Sequence, residues 1–156
     1  MELNENQNVI EINPIEPAPA PVKTGGDIAM CIIAKVLGIL SFVVAIGCFI
    51  TITALVVSYN LEFGLKVLDY SERARIEAAG VQYKGYAVTI IVIAIINILM
   101  AITALVLNKI ESKKGFGSKL AKVFSIIALV FSGVAIGNCL INYSLFGRYE
   151  VKYVYY

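Results

Sequence analysis

The stretch YAVTIIVIAIINILMAITALVLN, Tyr86–Asn108, contains no charged residue, and its reading decides the fold. At a helical rise of about 1.5 Å per residue it reaches across a hydrocarbon core of about 30 Å. Two further uncharged apolar stretches flank it, Val36–Leu61 and Val123–Gly147. A soluble bundle would carry charge along its outer helix faces, and these stretches carry none. The chain therefore reads as all-α: an integral membrane three-helix bundle with spans at about 30–60, 86–108 and 122–146, inside a membrane domain of 27–147. Composition agrees, since 59% hydrophobic residues and a mean hydropathy of +0.82 lie well above soluble averages.

Small residues mark how the spans pack. In the first span Ala34, Gly38, Ser41, Ala45 and Cys48 step alternately by four and three. In the third, Ala121, Ser125, Ala128, Ser132, Ala135 and Cys139 do the same, and Ala34-Lys35-Val36 repeats as Ala121-Lys122-Val123. The middle span follows with Ala87, Ala94, Asn97, Ala101, Ala104 and Asn108, Ile90 being its one large exception. A four-three step averages near 3.5 residues and keeps one face of a helix inside a left-handed supercoil. In lipid, helices associate by close backbone approach at small residues and by interhelical hydrogen bonds. The expected packing residues are thus Ala34, Gly38, Ser41, Ala45, Ala94, Asn97, Ala101, Ala104, Ser125, Ala128 and Ser132. Gly133-xxx-Gly137 offers a competing right-handed contact on another face of the third helix.

The connections differ in character. Between the first two spans, Glu62/Lys66, Asp69/Arg73 and Arg73/Glu77 are opposite charges four apart, and Leu61, Leu65 and Leu68 supply an apolar side. This is helix spacing, so 60–80 reads as a helical connection, with Gly80 as a stop and Gly64 as a break. The 109–122 connection instead sets Lys109, Lys113, Lys114, Lys119 and Lys122 against a lone Glu111. Its Lys114-Gly115-Phe116-Gly117-Ser118-Lys119 run lacks phosphate-loop spacing and a preceding strand. Anchoring against anionic lipid is the simpler reading.

Residues 1–26 form a leader that reads as disordered. All four prolines, Pro14, Pro17, Pro19 and Pro21, fall there, giving an extended run, and Gly25-Gly26 reads as its closing hinge. It is no secretory signal, because Glu2, Glu5, Glu11 and Glu16 stand where an apolar run belongs. Lys35 followed by Ala45-Ile46-Gly47-Cys48 imitates a lipoprotein signal, but Phe49–Val57 stays apolar beyond the cysteine. The tail, 148–156, is rich in tyrosine and in strand formers. It reads either as a frayed end or as a segment lying on the outer interface or against a partner.

Several chemistries are excluded by composition. The chain has no histidine, which removes the usual general base and the commonest metal ligand. Cys31, Cys48 and Cys139 have no paired spacing and read as small packing residues. A net charge of +2 without an aromatic-studded basic patch gives no case for nucleic acid. Ser41, Ser58, Ser125, Ser132 and Ser144 have no activating partner in the spans, so a hydroxyl there stays a poor nucleophile. No catalytic, cofactor or metal residues are expected, and the protein is expected not to be an enzyme.

Residues Ile98–Leu105, Asn108-Lys109-Ile110, Lys113-Lys114-Gly115 and Gly117–Ala121 carry a resemblance. Over about 34–136 the chain resembles small bacterial multi-span membrane proteins of the domain of unknown function 4190 type. In these, a span ending in an Ala-Leu pair is followed by a short basic loop with glycines and another span. The resemblance implies a multi-span membrane fold and brings no activity.

The expected partner is the lipid bilayer, with a membrane protein partner or further copies of the chain, and the expected role is that of an accessory or structural subunit acting through helix contacts. An oligomeric channel or carrier for a small solute is the alternative, with Asn97, Asn138, Asn142, Thr51, Thr53, Thr89 and Thr103 as pore lining or as interhelical glue. An immunity protein against a membrane-active peptide fits the size and topology but has no residue signature. Lysine enrichment puts the 109–122 loop in the cytoplasm, with the amino terminus inside and the carboxyl terminus outside. Tyr59, Tyr83, Tyr86 and Tyr143 would form an aromatic belt at the opposite interface.

Overall fold

The structure, a computed structural model, describes residue 22, residues 24–64 and residues 73–146. Among the described residues three helices make up the fold: α1 (Gly25–Tyr59), α2 (Arg73–Lys113) and α3 (Lys119–Tyr143), with one π-helical turn, Asn60–Gly64, prolonging α1. Each is long and apolar enough to cross a membrane. The proline-rich leader up to Pro21 and the tail beyond Phe146 lie outside the described residues, as do Lys66, Asp69, Leu65 and Leu68.

The helix ends fall where local hydrogen bonding puts them, and two glycine readings are corrected. Gly25 and Gly26 are no hinge; they are the first residues of α1. Thr24 caps that helix through a reciprocal capping box with Asp27, satisfying amides that would otherwise be orphaned. Gly80 is no stop either, since α2 runs through both Gly80 and Gly85. The true stop is Gly115, with φ of +84°, the left-handed geometry glycine adopts freely. Phe116 N–H bonds to Glu111 O at 2.9 Å and Gly115 N–H to Ser112 O at 3.0 Å, the paired bonds of a Schellman motif. Ser118 then caps α3. The 109–122 connection thus shrinks to a turn between Lys113 and Lys119.

The helices pack on one another in all three pairings. On α2 the buried positions Ile76, Gly80, Ala87, Ile90, Ala94, Asn97, Ala101, Ala104, Asn108 and Glu111, with half-buried Tyr83 between them, keep a four-three step throughout. α1 and α3 run parallel: Phe42 stacks on Phe124 at 4.8 Å, and one heptad further Phe49 meets Phe131 edge-on at 5.4 Å. α1 and α3 approach closely at Gly38, where an added Cβ would sit 3.2 Å from Ala121 O and 3.3 Å from Ala121 Cα. Only a residue without a side chain lets α1 and α3 meet this closely.

At the far end the small residues give way to large ones. Tyr59, Phe63, Ile76 and Phe146 are all buried, with Tyr59 ringed by Phe63, Tyr83 and Phe146 at centroid distances of 4.9–5.2 Å. Here the belt reading is corrected: Tyr59 is core, and Tyr83 is half-buried against Phe146. Tyr86 and Tyr143 remain exposed, Tyr143 with the Lys84 ammonium 5.6 Å above its ring. Beyond this cluster the start of α2 continues past the π turn, and Arg75 pairs with Glu62 at 3.3 Å.

Candidate functional site

Asn97 is the polar centre of the bundle. It is fully buried, and its Nδ2 donates to Ser41 O on α1 and to Ser132 Oγ on α3, each at 2.9 Å. One side chain on α2 thereby ties both other helices. Its Oδ1 receives no hydrogen bond, and neither does the buried Ser125 hydroxyl. Ser41 spends its own hydroxyl on Gly38 O at 3.0 Å.

All eleven packing residues read from the sequence are buried in the bundle: Ala34, Gly38, Ser41 and Ala45 on α1, Ala94, Asn97, Ala101 and Ala104 on α2, and Ser125, Ala128 and Ser132 on α3. Ala45, Ala101 and Ala128 form one apolar cluster from the three helices, backed by Leu129 and Phe131. Cys48 and Cys139 extend the stripes as buried free thiols, and Cys31 is a half-buried free thiol. Cys48 occupies a core position in the middle of α1.

The other polar residues considered as pore lining or glue do something simpler. Thr51, Thr53, Thr89 and Thr103 are exposed, and each donates its hydroxyl to the carbonyl four residues back in its own helix, at 2.8–3.0 Å. A threonine facing lipid satisfies itself this way. Asn142 likewise donates to Asn138 O at 2.8 Å. Among these candidates only Asn97 bridges helices in the hydrogen bonds described.

A second polar centre sits at the α2–α3 turn. Glu111 is buried, although the sequence places it among the lysines of the 109–122 connection. It lies one turn beyond the apolar stretch, yet α2 continues and keeps it on the bundle face. Neither carboxylate oxygen accepts a hydrogen bond; Lys114 Nζ stands 3.7 Å from Oε1. The same ammonium donates to Asp27 Oδ1 at 2.6 Å, so Lys114 clasps the start of α1 to the end of α2. This bond to the Asp27 carboxylate pushes the Lys114 pKa above the ordinary lysine value. Thr24, Asp27 and Lys114 form one chain, and Asn108 Oδ1 accepts from Ser118 N–H at 2.6 Å. Sequence reasoning missed this clasp because Asp27 and Lys114 are remote in the chain; the Thr24-x-x-Asp27 capping pattern was the available signal.

Beside the clasp, Lys109, Lys113 and Lys122 line a groove between α2 and α3 with Leu105, Asn108 and Ser112. Among the described residues no group of three histidine, cysteine, aspartate or glutamate side chains is placed to hold a metal ion. No family model, no curated protein and no solved structure matches the chain.

Proposed function

We propose that this chain is a non-enzymatic integral membrane protein, an accessory or structural subunit that works through helix–helix contacts. The observation that carries the reading is a division of small residues between two faces of α3. Ser125, Ala128, Ser132 and Ala135 are spent inside the bundle. Gly133 and Gly137 have nothing within 4 Å of an added Cβ, and exposed Val130, Val134 and Ile141 surround them. Small residues four apart allow a further helix to come close in lipid, and among the described residues no helix of the chain covers them.

The bundle is oriented with the lysine-rich turn and the amino terminus in the cytoplasm and the carboxyl terminus outside, on the strength of the lysine excess. The resemblance to the 4190-type proteins is part of this reading and adds no chemistry to it. A second reading, an oligomeric channel or carrier, draws on buried Glu111, because ionisable groups within a membrane bundle commonly mark ion or proton paths.

Co-purification from native membranes in mild detergent tests the reading. A stoichiometric membrane partner that is lost in Gly133→Leu/Gly137→Leu supports a subunit. Purification as copies of this chain alone, with no other protein, together with solute flux in reconstituted vesicles that falls in Glu111→Gln, would overturn it in favour of an oligomeric channel or carrier.

A further inference from the structure

The groove at the α2–α3 turn is lined by three lysines, two neutral polar side chains and one leucine. Lys109, Lys113 and Lys122 are all exposed and all line it. None has an ion-pair partner among the described residues, whereas the neighbouring Lys114 is already engaged by Asp27 and Glu111. Asn108 adds an amide: its Oδ1 is taken by Ser118 N–H, and its Nδ2 has no acceptor in the described protein. Ser112 adds a hydroxyl, and among the described residues no carboxylate lines the groove. Three uncompensated ammoniums with two neutral donors select an anion rich in acceptor oxygens.

The groove also lies where the uncharged stretch of α2 ends. Leu105 lines it from within the uncharged stretch of α2, and the lysines of α2 begin immediately after Asn108, where that stretch ends. On the apolar side of that boundary, Ile102 and Val106 of α2 and Val123 and Ile126 of α3 are exposed. An anion bound there has its charge among lysines while a hydrocarbon surface continues directly below it. Its volume, about 430 Å³, falls in the range of small-ligand sites, roughly 300–1,000 Å³.

The geometry points to a binding site for the phosphate headgroup of an anionic lipid in this groove, with Lys109, Lys113 and Lys122 as its phosphate ligands and its acyl chains along α2 and α3. Basic pockets between membrane helices hold such headgroups by charge at short range. The site rests on membrane residence of the bundle and is independent of orientation and of the subunit role. It replaces a diffuse attraction of five lysines by three that share one groove.

The test is native mass spectrometry of the full chain in mild detergent, titrated with phosphatidylglycerol or with phosphatidylcholine. Wild type should retain phosphatidylglycerol at least tenfold more tightly. Each lysine near an anionic headgroup contributes roughly fivefold, so K113Q/K122Q should weaken retention about 25-fold and K109Q/K113Q/K122Q about a hundredfold. K35Q/K119Q removes two lysines outside the groove and should change retention less than twofold. Equal losses in K113Q/K122Q and K35Q/K119Q would replace the site by diffuse charge. Displacement of the lipid by millimolar inorganic phosphate would reassign the groove to a free anion. Should K113Q/K122Q lose its helical melting transition, K109Q alone is read, with fivefold expected and no change overturning the site.

Discussion

Gly38 and Gly47 lie nine residues apart on α1, two and a half turns, and therefore on opposite faces of the helix. The same methyl group added to each should have opposite consequences. At Gly47 an added Cβ meets nothing within 4 Å. Replacing a mid-helix glycine by alanine there should stabilise by about 0.5–1 kcal/mol, through lost backbone freedom in the unfolded state. At Gly38 the same gain is opposed by contacts at 3.2 Å to Ala121 O and 3.3 Å to Ala121 Cα. Both are backbone atoms of α3, so no side chain can swing aside; the helices must separate. Overpacking of this kind costs about 1–3 kcal/mol, which leaves Gly38→Ala less stable than Gly47→Ala by about that amount. Gly38→Leu should be worse still. Titration of the purified protein in mixed micelles with a denaturing detergent, read by helicity, gives the order. If Gly38→Ala unfolds together with Gly47→Ala, α1 and α3 are not in backbone contact and the small-residue argument fails.

Ala101→Leu should destabilise the bundle by about 1–3 kcal/mol while Ile95→Leu changes it by under 0.5 or so, since Ala101 is fully buried and Ile95 half-exposed; detergent unfolding of the pair decides it. Asn97→Leu removes two interhelical hydrogen bonds, each worth about 0.6–1.7 kcal/mol, but also an unsatisfied Oδ1, so a net loss of about 1–2 kcal/mol is expected; Asn97→Ala with Ser132→Ala in a double-mutant cycle should show positive coupling. Gly117→Ala would place a Cβ 2.6 Å from Ser112 Cβ and 2.8 Å from Ser112 Cα, so it should lower the melting temperature of the bundle, whereas Gly85→Ala, in open space, should not. Single cysteines at Ser71 and Ser112 in a cysteine-free background should label differently with an impermeant thiol reagent on intact cells: Ser71 reactive, Ser112 protected. The reverse pattern would invert the orientation.

Much of this fold was legible in order along the chain. Three uncharged stretches imply three membrane-length helices, because lipid leaves no other partner for backbone amides. The four-three spacing of Ala34 to Cys48 and of Ala121 to Cys139 identifies the inward faces, because helix geometry alone decides which residues share a side. Asn97 falls on its stripe for the same reason. What local pattern does not contain is the level at which one helix meets another. Only the assembled bundle sets Asn97 between Ser41 and Ser132, and only there do Tyr59, Tyr83 and Phe146 converge into a core when their composition suggests an interface. Gly80 and Gly115 look alike as punctuation; the Schellman bonds and the positive φ pick Gly115. Likewise Glu111 reads as one loop charge among lysines until α2 continues beneath it and turns it inward, with Lys114 holding it and Asp27 together. Periodicity is a property of one helix, fixed by 3.6 residues per turn. Register, depth and the pairing of distant charges belong to three helices at once, so tertiary structure alone decides them.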